Sequence, residues 1–265
     1  MIFYFSCTGN TRWAARMVAD ITGDRLVDMA ELMRTDAKDY RCILEKDEAI
    51  GFCFPVHGWR PPMLVRDFIR RLEVKYVTEP YCWALCTAGD DIGQTMEILN
   101  RDLGRIGLKT DSTFSLIMPE SYVGLPFMDV DNEAKERKKK EKAATYVRLF
   151  GNTFAHREKE FNDTYKGHWP KTNSWFLGSL FKGLLISDKK FRVDEEKCTQ
   201  CGLCSKVCPV GNVASGKGKT TEWLHNGRCL TCFACYHHCP MKAIEFGNRT
   251  KKKGQYFFEK KRQQQ

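Results

Sequence analysis

The first half of the chain alternates between short apolar runs and longer segments in which apolar residues recur at helical spacing. The apolar runs MIFYF, EAIGFCF, YCWALCTA and STFSLIM do not alternate polar with apolar positions, as half-exposed strands do. The segments between them include TRWAARMVADI and PPMLVRDFIRRL, and the prolines that open the second suit a first helical turn. Strands buried on both faces and separated by helices are typical of a parallel sheet. The pattern therefore predicts an α/β domain over residues 1–161.

The end of this domain and the stretch after it differ in composition. Residues 131–161 are highly charged and contain few glycines or prolines, which predicts a long final helix with an apolar stripe at Val147, Phe150 and Phe154. Residues 162–189 combine Gly, Pro, Asn and Ser with a group of aromatic residues. We interpret them as the connection to a second domain.

Neither membrane insertion nor secretion is indicated by the sequence. The apolar run 175–187 is shorter than the ~18 residues of a membrane span and is broken by Lys182. Its polar side is not strongly basic, so we expect an interdomain contact rather than a membrane-surface helix. The N-terminal run lacks the basic region and cleavage site of a signal peptide. We therefore expect a cytoplasmic protein, in which 13 cysteines indicate metal or redox chemistry rather than disulfides.

The formal net charge of +10 arises largely from two basic runs, 135–142 and 251–262. The first has no aromatic residue inside it, and the aromatic residues 256–258 of the second match no nucleic-acid motif. We interpret the first run as a solvated helix face and residues 251–265 as a disordered basic tail. No nucleic-acid partner is expected.

Eight cysteines fall into two copies of one spacing. CTQCGLCSKVCP at 198–209 recurs as CLTCFACYHHCP at 229–240, and each copy reads C-x2-C-x2-C-x3-C-P. Three cysteines at intervals of three let one loop present three thiolates to one iron–sulfur cubane. The fourth, which precedes a proline, leaves that loop and reaches the other cluster. The spacing therefore predicts two [4Fe–4S] clusters.

The crossing pattern assigns four ligands to each cluster. One cluster is expected to be held by Cys198, Cys201, Cys204 and Cys239, and the other by Cys208, Cys229, Cys232 and Cys235. A zinc ribbon uses only two C-x2-C pairs and leaves half of these cysteines unexplained, and a disulfide framework does not suit a chain without a secretion signal. Residues 190–247 resemble the bacterial two-cluster ferredoxins, which implies a small α+β domain over 190–250.

A loop rich in small and hydroxylated residues joins the first apolar run to the first helix. Residues 2–15 read IFYFSCTGNTRWAA. The hydroxyl groups of Ser6, Thr8 and Thr11 and the backbone N–H groups at the helix start suit a phosphate without any cationic side chain. The loop is neither a Walker loop nor a dinucleotide fingerprint. A capped helix that binds no ligand is the alternative.

This loop resembles the FMN phosphate loop of flavodoxins, and the resemblance extends over about residues 1–160. It implies an α/β fold with a doubly wound parallel sheet of order 2-1-3-4-5, in which FMN lies beyond the carboxyl ends of the strands. It also implies that the cofactor contacts come from consecutive loop residues: Ser6, Cys7, Thr8, Gly9, Asn10 and Thr11.

Two further loops fall where flavodoxins contact the flavin ring. The first follows EAIGFCF and supplies Pro55, Val56, His57, Gly58 and Trp59. Trp59, and after it His57, is expected to lie against the isoalloxazine, and the alternative is a surface aromatic packed on the neighbouring prolines.

The second ring loop follows YCWALCTA and supplies Thr87, Ala88, Gly89 and Asp90. The resemblance implies that its backbone surrounds the polar edge of the ring. The loop departs from many flavodoxins because no tyrosine follows it, and we expect Tyr122 of PESYVG, 119–124, to cover the site instead. Acidic side chains at Asp90 and Asp91 would disfavour an anionic reduced flavin, although both residues also suit the start of a helix.

The whole chain resembles a family of ferredoxin–flavodoxin fusions from anaerobes. The resemblance implies FMN, two [4Fe–4S] clusters and redox protein partners, but it names no substrate. We therefore predict an electron-transfer protein in which two clusters relay single electrons to or from FMN. Two alternatives stay open: a flavin-dependent reductase of a quinone or nitro compound, and a ferredoxin whose flavodoxin-like domain lacks FMN and only docks partners.

Overall fold

The structure is a computed structural model that describes residues 1–35 and 40–260. Within these ranges, the strands of the first domain are β1 (Ile2–Tyr4), β2 (Leu26–Asp28), β3 (Tyr40–Ile43), β4 (Ile50–Pro55), β5 (Leu72–Lys75), β6 (Cys82–Ala88), β7 (Ser112–Ile117) and β8 (Asn162–Asp163). The main sheet has the order β2-β1-β4-β6-β7-β8, and all neighbouring strands in it are parallel. The strands β3 and β5 do not belong to this sheet. When only the strands of the main sheet are counted along the chain, the first five have the predicted flavodoxin-like order 2-1-3-4-5, which is confirmed. Strand β8 extends the edge beyond β7.

Helices cover both faces of this sheet. They are α1 (Asn10–Thr22), α2 (Met29–Met33), α3 (Met63–Arg71), α4 (Thr95–Leu103) and α5 (Glu133–Ala155). The helices α1 and α5 pack together on one face over a core that includes Leu85 and Phe114. On the other face, α3 and α4 cover a core that includes Phe52 and Phe68. The central strands are thus buried on both sides, which explains their unbroken apolar sequence.

Helix α1 approaches the sheet through small residues. Its most buried apolar positions are Ala14, Ala15 and Val18, whereas Trp13 and Met17 pack at the edge of the same core. Alanine has the highest helix propensity and lets the helix backbone lie close to the strands. The close approach brings the first loop, which precedes α1, directly over the carboxyl end of the sheet.

The second domain is a small α+β unit whose elements repeat. Its strands are β9 (Phe191–Val193), β10 (Val213–Gly216), β11 (Lys219–Trp223) and β12 (Ile244–Phe246), with β9 antiparallel to β12 and β10 antiparallel to β11. Between them lie two four-residue helices, α7 (Leu203–Lys206) and α8 (Ala234–His237). Each helix falls at the same place in its copy of the cysteine repeat.

A connecting helix, residues 172–185, joins the two domains. Its turns are wide, of the π type, on both sides of the short α6 (Gly178–Leu180). Near its start, Arg60 of the first domain donates to the Ser174 carbonyl at 2.6 Å. At the far end, the Ser187 N–H donates to the Thr231 hydroxyl of the second domain at 2.8 Å. No helix among the described residues is both long and apolar enough to cross a membrane.

The prediction of a disordered tail is wrong for residues 251–260. These residues form hydrogen bonds with both domains, for example from the Lys253 ammonium to the Met128 carbonyl of the first domain at 2.6 Å and from the Gln255 amide to the Tyr236 carbonyl of the second domain at 2.6 Å. The aromatic residues within the basic run provide the apolar surface that such packing requires. The rest of the predicted tail, 261–265, lies outside the described residues.

The packing of Gly51 in the central strand β4 gives a test of this fold. A Cβ at Gly51 would overlap the indole of Trp83, which is fully buried on β6. Gly51→Ala should therefore destabilise the protein by about 1–3 kcal/mol through overpacking. Gly104→Ala is the matched control, since that glycine has helical dihedral angles and open space around it, and should be neutral or stabilising. Anaerobic chemical unfolding followed by circular dichroism measures both, and equal midpoints would contradict the prediction.

Candidate functional site

One cavity receives the predicted flavin-contacting loops, at the carboxyl ends of β1, β4 and β6. Its volume is about 620 Å³, within the roughly 300–1,000 Å³ of small-molecule sites. Every predicted cofactor residue except Gly9 lines it: Ser6, Cys7, Thr8, Asn10, Thr11, Pro55, Val56, His57, Gly58, Trp59, Thr87, Ala88, Gly89 and Asp90. The structure thus brings together three loops that are far apart in the sequence.

Gly9 determines the shape of the first loop without lining the cavity. It caps α1 in the left-handed region, with φ of 94°, which a glycine adopts without strain. Its N–H donates to the Ser6 hydroxyl at 3.2 Å, and its carbonyl accepts from the Trp13 N–H at 2.9 Å. No acidic residue lies in the first turn of α1. The positive end of the helix dipole faces the loop, and no residue of the helix's own first turn opposes it.

The loop residues are also fixed by side chains from the neighbouring loops. The hydroxyl groups of Thr11 and Thr87 lie 2.7 Å apart and are buried. The Asn10 amide donates to the Pro119 carbonyl at 3.0 Å. These contacts tie the loop after β1 to the loops after β6 and β7, so the polar wall of the cavity is preorganised.

The loop after β4 makes a tight turn at the ring end of the cavity. The backbone groups of His57 and Arg60 bond each other in both directions, at 2.9 and 3.2 Å. The two residues between them, Gly58 and Trp59, both have positive φ, at 55° and 57°, as a type I′ turn requires. The turn places His57 and Trp59 in the cavity wall. Burial lowers the pKa of His57 to about 4, so its imidazole is neutral at physiological pH.

The conformation of the loop after β6 depends on the Glu120 carboxylate, which the sequence analysis did not predict. Glu120 accepts from the N–H groups of Ser121 and Tyr122 at 2.8 and 2.7 Å, and a Cβ at Gly89 would overlap its other oxygen. Lys139 donates to the Gly89 carbonyl at 2.9 Å. Burial raises the pKa of Glu120. The ring loop thus adopts a conformation that leaves no space for a side chain at Gly89.

The connecting helix covers the ring loops through a buried serine. Ser174 is fully buried, its hydroxyl donates to the Trp59 carbonyl at 2.9 Å, and it accepts from the Gln94 N–H at 2.7 Å. A Cβ on Gly58 would come within 2.7 Å of the Phe181 ring. The connecting helix also contributes apolar residues to the cavity wall: Leu177, Leu180, Phe181 and Leu185.

Each predicted set of four cysteines surrounds its own small cavity in the second domain. Cys198, Cys201, Cys204 and Cys239 line one, and Cys208, Cys229, Cys232 and Cys235 line the other. Among the described residues, no charged side chain lines either cavity. Within residues 1–35 and 40–260, no group of three or more His, Cys, Asp or Glu side chains is arranged to hold a single metal ion. The donors of each set are four sulfur atoms in an uncharged surrounding.

The backbone around the two cavities repeats as the sequence does. Gln200 and Gly202 have positive φ, and so do Thr231 and Phe233, which lie 31 positions further along. Left-handed residues on either side of the second cysteine bend each loop around its cavity and aim successive N–H groups inward, as in anion-binding nests. Such a loop suits thiolate ligands and the negative charge of a cluster.

Several sulfur atoms accept hydrogen bonds that stabilise a thiolate. The two cysteines that cross between the cavities accept from backbone N–H groups, Cys208 from Asn212 at 3.2 Å and Cys239 from Ala243 at 3.3 Å. The Thr221 hydroxyl lies 3.2 Å from the Cys204 sulfur. Hydrogen bonds of this kind orient metal ligands and tune the site they form.

The large cavity and the second cysteine cavity share a wall. Leu230, Thr231 and Cys232 line the large cavity, and Cys232 also lines the cysteine cavity. The Cys7 thiol lies beside Cys232, and this neighbour together with burial raises the pKa of Cys7. The first loop of the α/β domain and the second cysteine loop are therefore in direct contact.

Tyr122 completes this junction. Its ring packs against Phe181 of the connecting helix at 5.3 Å and against Phe233 of the second cysteine loop at 5.4 Å. Burial raises its pKa to about 12, so the hydroxyl stays protonated. Tyr122 lines the cavity, as the prediction of a covering residue requires, but it also packs against the cysteine loop.

His237 lies inside the second cysteine motif, and both of its ring nitrogens form hydrogen bonds with other residues of the chain. Its Nδ1 accepts from the Tyr256 N–H at 3.1 Å, so Nε2 carries the proton and donates to the Ser121 carbonyl at 2.6 Å. Burial lowers its pKa to about 3. The neutral ring connects the two domains and leaves no nitrogen lone pair for a cluster.

The comparisons with known sequences cover only part of this chain. A family model described as a 4Fe-4S dicluster domain matches residues 190–240. An uncharacterized protein of Methanocaldococcus jannaschii is 36% identical over 62 residues, which is 23% of this chain and 23% of that protein. The match thus covers less than a quarter of the relative. Residues 190–240 form a 4Fe–4S ferredoxin domain.

Solved structures resemble the chain only weakly. A putative flavoprotein from Bacteroides uniformis aligns over 44% of this chain and 88% of its own, with 18% identity and a TM-score of 0.32. Rubredoxin oxygen:oxidoreductase from Desulfovibrio gigas aligns over 58% of this chain and 36% of its own, with 17% identity and a TM-score of 0.28. The flavodoxin-like assignment of the first domain depends on its strand order, not on these alignments.

Several cavity residues were missed in the sequence. The loop after β7 contributes Pro119, Glu120 and Ser121, and it could have been found, since loops at the carboxyl ends of parallel strands meet at one edge. Leu230 and Thr231 gave no such signal, because they reach the cavity only through the packing of one domain on the other.

The depressed pKa of His57 predicts a pH-dependent stability. The imidazole stays neutral in the folded protein down to about pH 4, whereas in the unfolded chain it takes up a proton near pH ~6.5. The contribution of His57 to stability should therefore be complete above pH ~6.5 and fall as the pH drops towards 4. Comparing FMN-free wild-type protein with His57→Gln by chemical unfolding between pH ~7.5 and ~5 measures it. The wild type should lose more stability than the variant, and parallel pH profiles would contradict this.

Proposed function

We propose that this chain is an electron-transfer protein that relays single electrons through two [4Fe–4S] clusters to or from FMN in its α/β domain. One observation carries the proposal: Cys232 of the second cysteine set lines the same cavity as Cys7 of the first loop, and it also lines the second cysteine cavity. A bound cluster exchanges single electrons and a bound flavin exchanges one or two, so the pair links one-electron and two-electron partners.

The residues of the cavity fit the parts of FMN. The hydroxyl groups and helix start at Ser6–Thr11 suit the phosphate, since the first turn of α1 contains no acidic residue. His57, Trp59 and the backbone of 87–90 suit the ring, and the apolar residues of the connecting helix suit its hydrocarbon edge. The volume of about 620 Å³ leaves room for a ligand of this size.

The cysteine sets fit one cluster each. Four sulfurs line each cavity, and the crossing cysteines Cys208 and Cys239 each accept an N–H hydrogen bond. Arg34 of the α/β domain donates to the Cys208 carbonyl, which holds the second set against the flavin side. The first set faces solvent, since Cys201 is exposed. We propose that a redox protein partner docks there.

The cofactor content of anaerobically purified protein tests the proposal. We expect about eight iron atoms per chain, four for each cluster, together with one FMN released on denaturation. Iron without flavin would contradict the relay and favour a ferredoxin with a docking domain. Less than about four iron atoms per chain after reconstitution would contradict both cluster assignments.

Cysteine variants test the ligand assignment. Cys239→Ser should remove or destabilise the first cluster and lower the iron content by about half, because the serine oxygen is a poor replacement for a thiolate. Cys53→Ser is the matched control, since Cys53 lies fully buried in β4, outside both cysteine cavities. Iron analysis and the electron paramagnetic resonance of reduced protein measure the effect. A full iron content in Cys239→Ser would contradict the assignment.

A second function, reduction of a small substrate, has one observation in its favour. Phe127 lines the large cavity and is 83% exposed, so the cavity opens to solvent beside an apolar side chain. Chemically reduced protein should then turn over a quinone or a nitro compound. If the reduced protein is reoxidised by redox proteins but does not turn over small oxidants, the result would contradict the reductase and support the electron carrier.

A further inference from the structure

The last described residues lie across the first loop of the α/β domain. The C-terminal segment, 254–260, places the Phe258 side chain against Gly9 and stacks it on Trp13 at a centroid distance of 5.0 Å. The Phe258 N–H donates to the Thr8 carbonyl at 2.8 Å. Glu259 pairs with Arg12 at 3.0 Å. Both the backbone and the side chains of this segment thus contact the loop that we assign to the phosphate.

Tyr256 makes the most buried of these contacts. Its hydroxyl donates to the Asn10 amide oxygen at 2.6 Å, and the two residues are 3% and 8% exposed. The other end of the same amide donates to the Pro119 carbonyl. The orientation of Asn10 is therefore fixed from both sides. Tyr256 does not line the cavity, whereas Asn10 does.

The same segment is bound to the second cysteine motif. The Gln255 amide donates to the carbonyls of Tyr236 and Cys239 at 2.6 and 2.9 Å. The Tyr256 N–H donates to His237, whose other nitrogen donates to Ser121 of the cavity wall. The C-terminal segment therefore connects the ferredoxin domain to the first loop through a continuous set of buried hydrogen bonds.

We propose that Tyr256 is a positioning residue for the FMN phosphate, acting through Asn10. The inference rests on the proposed FMN site. Without the Tyr256 hydroxyl, the buried Asn10 oxygen loses its donor, which is costly, so the amide and the loop that carries it must rearrange. The C-terminal segment, which is bound to the ferredoxin domain, then controls flavin affinity through a side chain outside the cavity.

Comparing the binding of FMN with that of riboflavin distinguishes a residue that positions the phosphate from one that supports the whole flavin site. Riboflavin has the same ring and lacks the phosphate, so loss of phosphate positioning weakens FMN binding alone. Tyr256→Phe retains the ring, and the backbone donor to His237 is unaffected. We expect about a tenfold rise in the Kd for FMN, as for the loss of one buried hydrogen bond, and an unchanged Kd for riboflavin. Tyr146→Phe is the control, since Tyr146 lies on the exposed side of α5.

The titration uses cluster-loaded full-length protein stripped of flavin, under anaerobic conditions, with quenching of flavin fluorescence as the signal. A second variant ends after Lys253 and should weaken FMN binding more than Tyr256→Phe does. Equal weakening of both flavins, or no change in Tyr256→Phe, would overturn the inference while leaving the proposed function intact. Wild-type protein that binds neither flavin would instead contradict the proposed function.

Discussion

The arrangement of this protein depends on the contact between its first loop and its second cysteine loop. Cys7 and Cys232 meet with no intervening layer, so two loops from different domains form one wall. Electron transfer requires short separations, but a bare contact between two irregular loops buries little apolar area. The connecting helix, Tyr122 and the C-terminal segment supply the surrounding packing, and they hold the loops together from three sides.

The buried interface between the domains is built mainly from neutral groups. Ser174 bridges two backbone groups, and His237 is held as a neutral imidazole between Tyr256 and Ser121. Neutral donors and acceptors cost less to bury than charges when every lone pair has a partner.

The sequence predicted what depends on local spacing. The two cysteine sets follow from intervals of three residues, and each set surrounds one cavity. The alternation of buried strands and helices follows from the apolar runs, whereas the strand order and the three cavity loops were implied by the resemblance to flavodoxins. Strand β2 has only three residues and gave no periodic signal. Glu120 and Leu230 were missed because their roles arise from contacts between distant segments. The tail was misread because its charge was weighed above its aromatic residues.

The hydrogen bond between Tyr256 and Asn10 joins residues 246 positions apart and has a consequence for biosynthesis. The first loop leaves the ribosome early, and the α/β domain can begin to fold as a unit during translation. The loop reaches its final form only after Tyr256 has emerged and the ferredoxin domain has folded around its cysteines. On the proposed function, insertion of FMN would then be a late step of maturation, and a chain whose ferredoxin domain has not folded should bind FMN more weakly.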